Sequence, residues 1–148
     1  RRVTEPLVLA DEEATAALGR RLAAALMPGD VVALLGDLGA GKTALARAII
    51  RARVGEESLE VPSPTFALVQ PYEAAGTPIL HADLYRLSDP REAGELGLFD
   101  DPRSIVLVEW PERAPELLAR ATVSVALSIP PDGAGRVATV AFADARPF

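Results

Sequence analysis

The amino-acid sequence predicts an α/β domain of three layers, with a mixed, mostly parallel central sheet. Three observations carry that expectation. Two continuous apolar runs, Val31-Val32-Ala33-Leu34-Leu35 and Ser104-Ile105-Val106-Leu107-Val108, read as strands buried on both faces. The first run opens directly into Gly36-Asp37-Leu38-Gly39-Ala40-Gly41-Lys42-Thr43, which fits the phosphate-binding pattern G-x-x-x-x-G-K-T. After that loop, Leu45, Ala48, Ile49 and Ala52 recur at helical spacing. Strand, glycine loop and amphipathic helix in that order define the P-loop NTPase arrangement.

The remaining elements follow along the chain. Leu7-Val8-Leu9 reads as a short edge strand. Asp11 is placed to cap a helix running to about Ala25, with Leu18, Leu22 and Leu26 on one face. Met27-Pro28-Gly29-Asp30 ends it. The helix after the P-loop reaches about Arg53. Residues 54–65 read as a loop, stiffened by Pro62 and Pro64, which fix their own φ and restrict the residues before them. Residues 66–70 and 79–87 read as strands joined by Ala74-Ala75-Gly76-Thr77. Residues 90–96 form a short helix and 115–120 a helical turn. Residues 122–128 alternate as a half-exposed strand does, and Pro131-Asp132-Gly133-Ala134-Gly135 turns the chain into a last strand over 137–142.

Composition narrows the functional classes. A chain of 148 residues, 49% hydrophobic, suits one domain with a real core, and no linker divides residues 1–148. Its net charge of −6 argues against a protein that holds RNA or DNA alone. Without cysteine there are no disulfides and no thiolate metal sites. No apolar run approaches the ~18 residues that a membrane-spanning helix needs. No signal peptide is evident, although the chain opens on Arg1 rather than Met, and a cytoplasmic protein is expected.

The chemistry concentrates in a few residues. Lys42 is the only lysine among 15 lysines and arginines. Its compact ammonium fits between β- and γ-phosphates, where a planar guanidinium is too wide. The loop amides of Leu38, Gly39, Ala40, Gly41, Lys42, Thr43 and Ala44 would cradle phosphate, and Thr43 offers a hydroxyl to Mg²⁺. Mg²⁺ takes oxygen ligands, usually one or two carboxylates completed by phosphate and water. Glu109, at the end of the second buried strand, and Asp83, in His81-Ala82-Asp83-Leu84-Tyr85-Arg86, are the candidates to ligate the ion or orient the attacking water. Each also has an ordinary reading. Glu109 could cap the next turn, and Asp83 could pair with Arg86 or shape a turn. His81 shares a strand face with Asp83 and reads either as a packed, hydrogen-bonded residue or as part of the site. Trp110 reads as packing or as a contact to nucleotide or partner. Thr65, after Pro64, is either a γ-phosphate sensor or a plain turn residue.

The P-loop, Ser63-Pro64-Thr65-Phe66, His81-Ala82-Asp83-Leu84-Tyr85-Arg86 and Glu109-Trp110 occur in an order and approximate spacing that resembles the bacterial TsaE (YjeE) family, small P-loop ATPases of tRNA modification. Thr15, Leu18 and Gly19 also match that family's first helix, and the likeness extends over about residues 11–142. It implies that ATP and Mg²⁺ are the cofactors, with Lys42 and the loop amides on the phosphates and Thr43 and Glu109 on the metal. Lys42, Asp83 and Glu109 would be catalytic, and Thr65 would sit in a nucleotide-sensing switch. Glu12 and Arg136 would border the nucleotide. The resemblance further implies a Mg²⁺-dependent ATPase, weak alone, required for threonylcarbamoylation of adenosine 37 in tRNA. It would act on the TsaB–TsaD pair to permit repeated turnover, with tRNA held indirectly through that pair and neither membrane nor DNA involved.

Three other functions share parts of this pattern. A small-molecule or nucleotide kinase would share the P-loop and the size, and would need an acceptor pocket and an arginine-bearing lid. No compact lid segment stands out. A GTPase would need an Asn-Lys-x-Asp base-reading motif, impossible in a chain with no asparagine and one lysine. A nucleotide-gated binding module would keep Lys42 and Thr43 but need no active Asp83 or Glu109.

Overall fold

In the computed structural model, which describes residues 2–148, the elements run in chain order as follows. β1 (Arg2–Val3) and β2 (Leu7–Leu9) precede α1 (Glu12–Ala25), β3 (Val31–Leu35) and α2 (Lys42–Val54). Then come β4 (Val69–Ala74), β5 (Thr77–Asp83), β6 (Ile105–Glu109), α3 (Pro115–Leu118), β7 (Val123–Ser128) and β8 (Arg136–Phe142). One eight-stranded sheet has the order β1-β8-β7-β3-β6-β5-β4, with β2 also on β8. Its four central strands, β7, β3, β6 and β5, are parallel, and β4 and β8 flank them antiparallel. Parallelism puts the carboxyl ends of β3, β5 and β6 on one edge, where α/β proteins bind ligands.

The two faces of the sheet are covered differently. Val32, Leu34, Ile105, Leu107, Val123 and Val125 face α1 and α2, which contribute Leu18, Leu22, Leu45 and Ile49 to an apolar layer. The side chains of Ala82, Val106 and Val108 point the other way, onto Leu84, Leu98 and Leu117. This second outer layer is built from α3 and the 3₁₀ turns Pro90–Leu96 and Pro111–Arg113 rather than long helices.

Local chemistry explains the helices. Asp11 caps α1 by accepting from the Ala14 N–H at 2.9 Å. At Gly19 the two long helices nearly touch: a Cβ there would lie 2.4 Å from that of Ala48. Glycine is the residue that permits this approach. Far along the chain, Arg146 returns to the end of α1 and grips Asp30 with contacts of 2.6 and 3.0 Å. Asp30 also accepts from Thr122 Oγ1 at 2.8 Å and from the Met27 N–H at 2.7 Å, so every face of this buried carboxylate is used.

The predicted strands over 66–70 and 79–87 need correction. Residues 65–68 form a turn instead, closed by the Leu68 N–H donating to the Pro64 carbonyl at 2.6 Å, with Leu68 at φ 68°. Phe66, read as a strand residue, is 81% exposed. β5 stops at Asp83 because that carboxylate accepts from the Tyr85 N–H at 2.9 Å and bends the chain. The hairpin lies where expected, with Ala75 and Gly76 both at positive φ, as a two-residue turn of matching twist requires. β1 was not foreseen.

Candidate active site

β3 delivers the chain into the P-loop, and α2 starts inside it. Gly41 is the N-cap of α2, with φ 103° and no side chain to satisfy the first amides. α1 has its aspartate cap; α2 leaves its first turn of N–H groups for an incoming anion. Gly36 could not be another residue, since a Cβ would lie 2.6 Å from the Leu127 carbonyl at φ 149°. Arg136, at the start of β8, donates to the Gly39 carbonyl at 3.0 and 3.2 Å and braces the loop. Leu38 protrudes at the loop tip, exposed, whereas Ala40 is buried beneath it.

Lys42 is buried, and its ammonium donates to the carbonyls of Gly36 and, at 3.2 Å, Asp37. The same nitrogen sits 3.9 Å from the centre of the Trp110 ring. Burial pushes its pKa below the usual 10.5, opposed by the negative charges of Glu109, Glu112, Asp83 and Asp37. Trp110 owes its position to a left-handed backbone, φ 57°, directly after β6. Its ring packs against Tyr85 at 4.9 Å.

The parallel pairing of β5 and β6 sets Asp83 beside Glu109 in register. Thr43 Oγ1 donates to Glu109 Oε1 at 2.7 Å, and His81 Nε2 lies 2.7 Å from Glu109 Oε2. Asp83 Oδ2 accepts from Thr65 Oγ1 at 3.3 Å, and Thr65 shares a 2.6 Å hydrogen bond with Ser63. Of the ordinary readings of these carboxylates one holds, since Asp83 shapes a turn through the Tyr85 N–H; the other two do not. Glu109 does not cap the following turn, and the partners of Asp83 are Thr65 and the Tyr85 amide rather than Arg86. Arg86 instead stacks on Phe66 at 4.3 Å.

Lys42, Thr43, Asp83, Glu109 and Thr65 are thus brought to one edge, with Arg136 behind the loop. Glu12, on α1, lines a groove between α1 and α2 that also reaches Ala44. The donor set suits Mg²⁺, because Thr43 and Glu109 present hard oxygens within hydrogen-bond distance of each other. No group of three or more His, Cys, Asp or Glu side chains among the described residues could hold a metal. An ion here would accordingly need phosphate and water oxygens to complete its shell.

The model of the family "Threonylcarbamoyl adenosine biosynthesis protein TsaE" matches residues 9–136, most of the chain. This protein belongs to the TsaE family. The TsaE protein of Rickettsia felis is 43% identical over 125 residues, covering 83% of this chain and 72% of that one. The TsaE protein of Synechocystis sp. is 42% identical over 118 residues, 74% and 71% of the two chains. The crystal structure of Bacillus subtilis YdiB superposes with a TM-score of 0.71 at 25% identity, over 96% of this chain and 88% of that one. In this TsaE chain, His81 is packed and hydrogen-bonded on the strand face it shares with Asp83, as expected. That its partner is Glu109 depends on the register of β6, which no local pattern gives.

Proposed function

We propose that this chain is a Mg²⁺-dependent ATPase that serves tRNA threonylcarbamoyladenosine biosynthesis. Family membership supports the pathway: the chain takes part in making threonylcarbamoyladenosine in tRNA. The single observation that supports hydrolysis is the Thr43–Glu109 hydrogen bond, with Asp83 alongside in register. It joins the P-loop helix to an acidic strand end, as phosphoryl-transfer sites require.

Bound at that pair, Mg²⁺ would draw off negative charge from the β- and γ-phosphates. Lys42 exchanges its carbonyl partners for phosphate oxygens, while the free amides of α2 add their dipoles. Asp83, acceptor to Thr65, is positioned to orient water and to report the γ-phosphate to the 63–68 turn. On this reading the chain is slow by itself and resets a TsaB–TsaD pair between turnovers, with tRNA held by the partners. An acidic chain agrees with that division. A role in tRNA modification supports a cytoplasmic location. Among the described residues no helix is long and apolar enough to cross a membrane.

The test is steady-state Mg·ATP hydrolysis, alone and with TsaB–TsaD and tRNA. Stimulation by the partners, lost in Lys42→Ala, is the expected result. Phosphate appearing on an added metabolite, without stimulation, would establish a kinase instead.

A further inference from the structure

His81 is the one histidine of the chain and is wholly buried. Its neighbours on the same face are Ile79 and Asp83 along β5, Leu107 across on β6 and Gln70 across on β4. Two of them, Ile79 and Leu107, are apolar core residues, and an apolar side chain at 81 would extend that core. The imidazole instead leaves Nδ1 buried with no hydrogen-bond partner, a cost that leucine would avoid. What it gains is the 2.7 Å contact from Nε2 to Glu109 Oε2. Of the two neutral tautomers, only the one with its hydrogen on Nε2 makes that contact attractive, since the other would set a lone pair against a carboxylate oxygen.

We propose that His81 is a positioning residue that occupies one oxygen of Glu109 and so holds the other, Oε1, on Thr43 for the metal. This rests on the reading of Glu109 as the metal-binding carboxylate. Without the imidazole N–H, Glu109 can rotate and present either oxygen, and the pairing with Thr43 loses its preference. Hydrogen-bonded partners of metal ligands act in this way, fixing a ligand they do not replace.

Two measurements test the proposal. In ¹⁵N NMR of the wild-type chain without metal or nucleotide, the single histidine gives an unambiguous pair of ring signals. A hydrogen on Nε2 and a bare Nδ1 are expected; the reverse tautomer would overturn the assignment. Equilibrium binding of a non-hydrolysable ATP analogue is then titrated with Mg²⁺ for His81→Leu, His81→Asn and His81→Gln. Glutamine carries an N–H to about the reach of Nε2; asparagine carries the same amide one carbon short. His81→Leu and His81→Asn should need about 10–100-fold more Mg²⁺, with His81→Gln close to wild type. Equal impairment of all three, or an unchanged requirement in His81→Leu, sinks the proposal. Glu109→Ala in the same titration separates the two levels. If it shifts while His81→Leu does not, only the positioning role falls; if neither shifts, the metal reading falls and takes this inference with it.

Discussion

At the scale of single residues, the site is a set of charges held by groups that, on the proposed function, nucleotide would displace or engage. Lys42 is confined by two carbonyls and an indole ring, so Lys42→Arg should lower ATP affinity by about tenfold or more, and Lys42→Ala should abolish measurable binding by calorimetry. The lowered pKa of Lys42 has a sign that can be worked out. Phosphate favours the charged amine, so affinity is held below the free-state pKa and falls as pH rises through it. That fall should begin at a lower pH than the 10.5 of an ordinary lysine, and Lys42's part in it can be read by calorimetry across alkaline pH. The two carboxylates should separate cleanly. Asp83→Ala should slow hydrolysis by about 10²-fold or more with nucleotide affinity retained, whereas Glu109→Ala should chiefly raise the Mg²⁺ requirement in single-turnover assays. The P-loop residues and both carboxylates were legible in the sequence because their chemistry demands fixed residue types at fixed places. The His81–Glu109 and Lys42–Trp110 contacts were not, since each depends on register or a left-handed backbone that no local pattern encodes.

At the scale of elements, the two long helices and the buried strands were readable to within a residue or two. Their periodicity, the Asp11 cap and the glycines around the P-loop all point the same way. The 65–68 turn was not, because Phe66-Ala67-Leu68 has the apolar look of a strand while Pro64 and the positive φ of Leu68 close a turn. The α1–α2 crossing gives the sharpest test at this scale. Gly19→Ala would place its methyl 2.4 Å from that of Ala48 and 3.0 Å from backbone. The helices must part, and urea denaturation should show a loss of about 1–3 kcal/mol. Because α2 carries the P-loop at its amino end, the same variant should also weaken ATP binding, though no atom of Gly19 approaches the site.

At the scale of the whole molecule, the returning tail and the end of α1 are joined by one buried ion pair. Asp144 and then Asp30 raise the pKa of Arg146, whose side chain is 8% exposed, so its guanidinium stays charged throughout the physiological range. Arg146→Ala leaves Asp30 buried with its charge uncompensated, and should cost about 3–5 kcal/mol by denaturant titration; replacing both partners by apolar residues should cost much less. The sheet joins that clamp to the edge that carries the candidate site, whose one tryptophan has an optical consequence. Tyr85 lies against Trp110, close enough for light absorbed by the phenol to be passed to the indole before emission. The intrinsic fluorescence of the entire chain is therefore weighted to a single ring resting on the Lys42 ammonium. When that ammonium leaves the indole for a phosphate, the emission should change, and the arrival of unlabelled nucleotide becomes visible without any added dye.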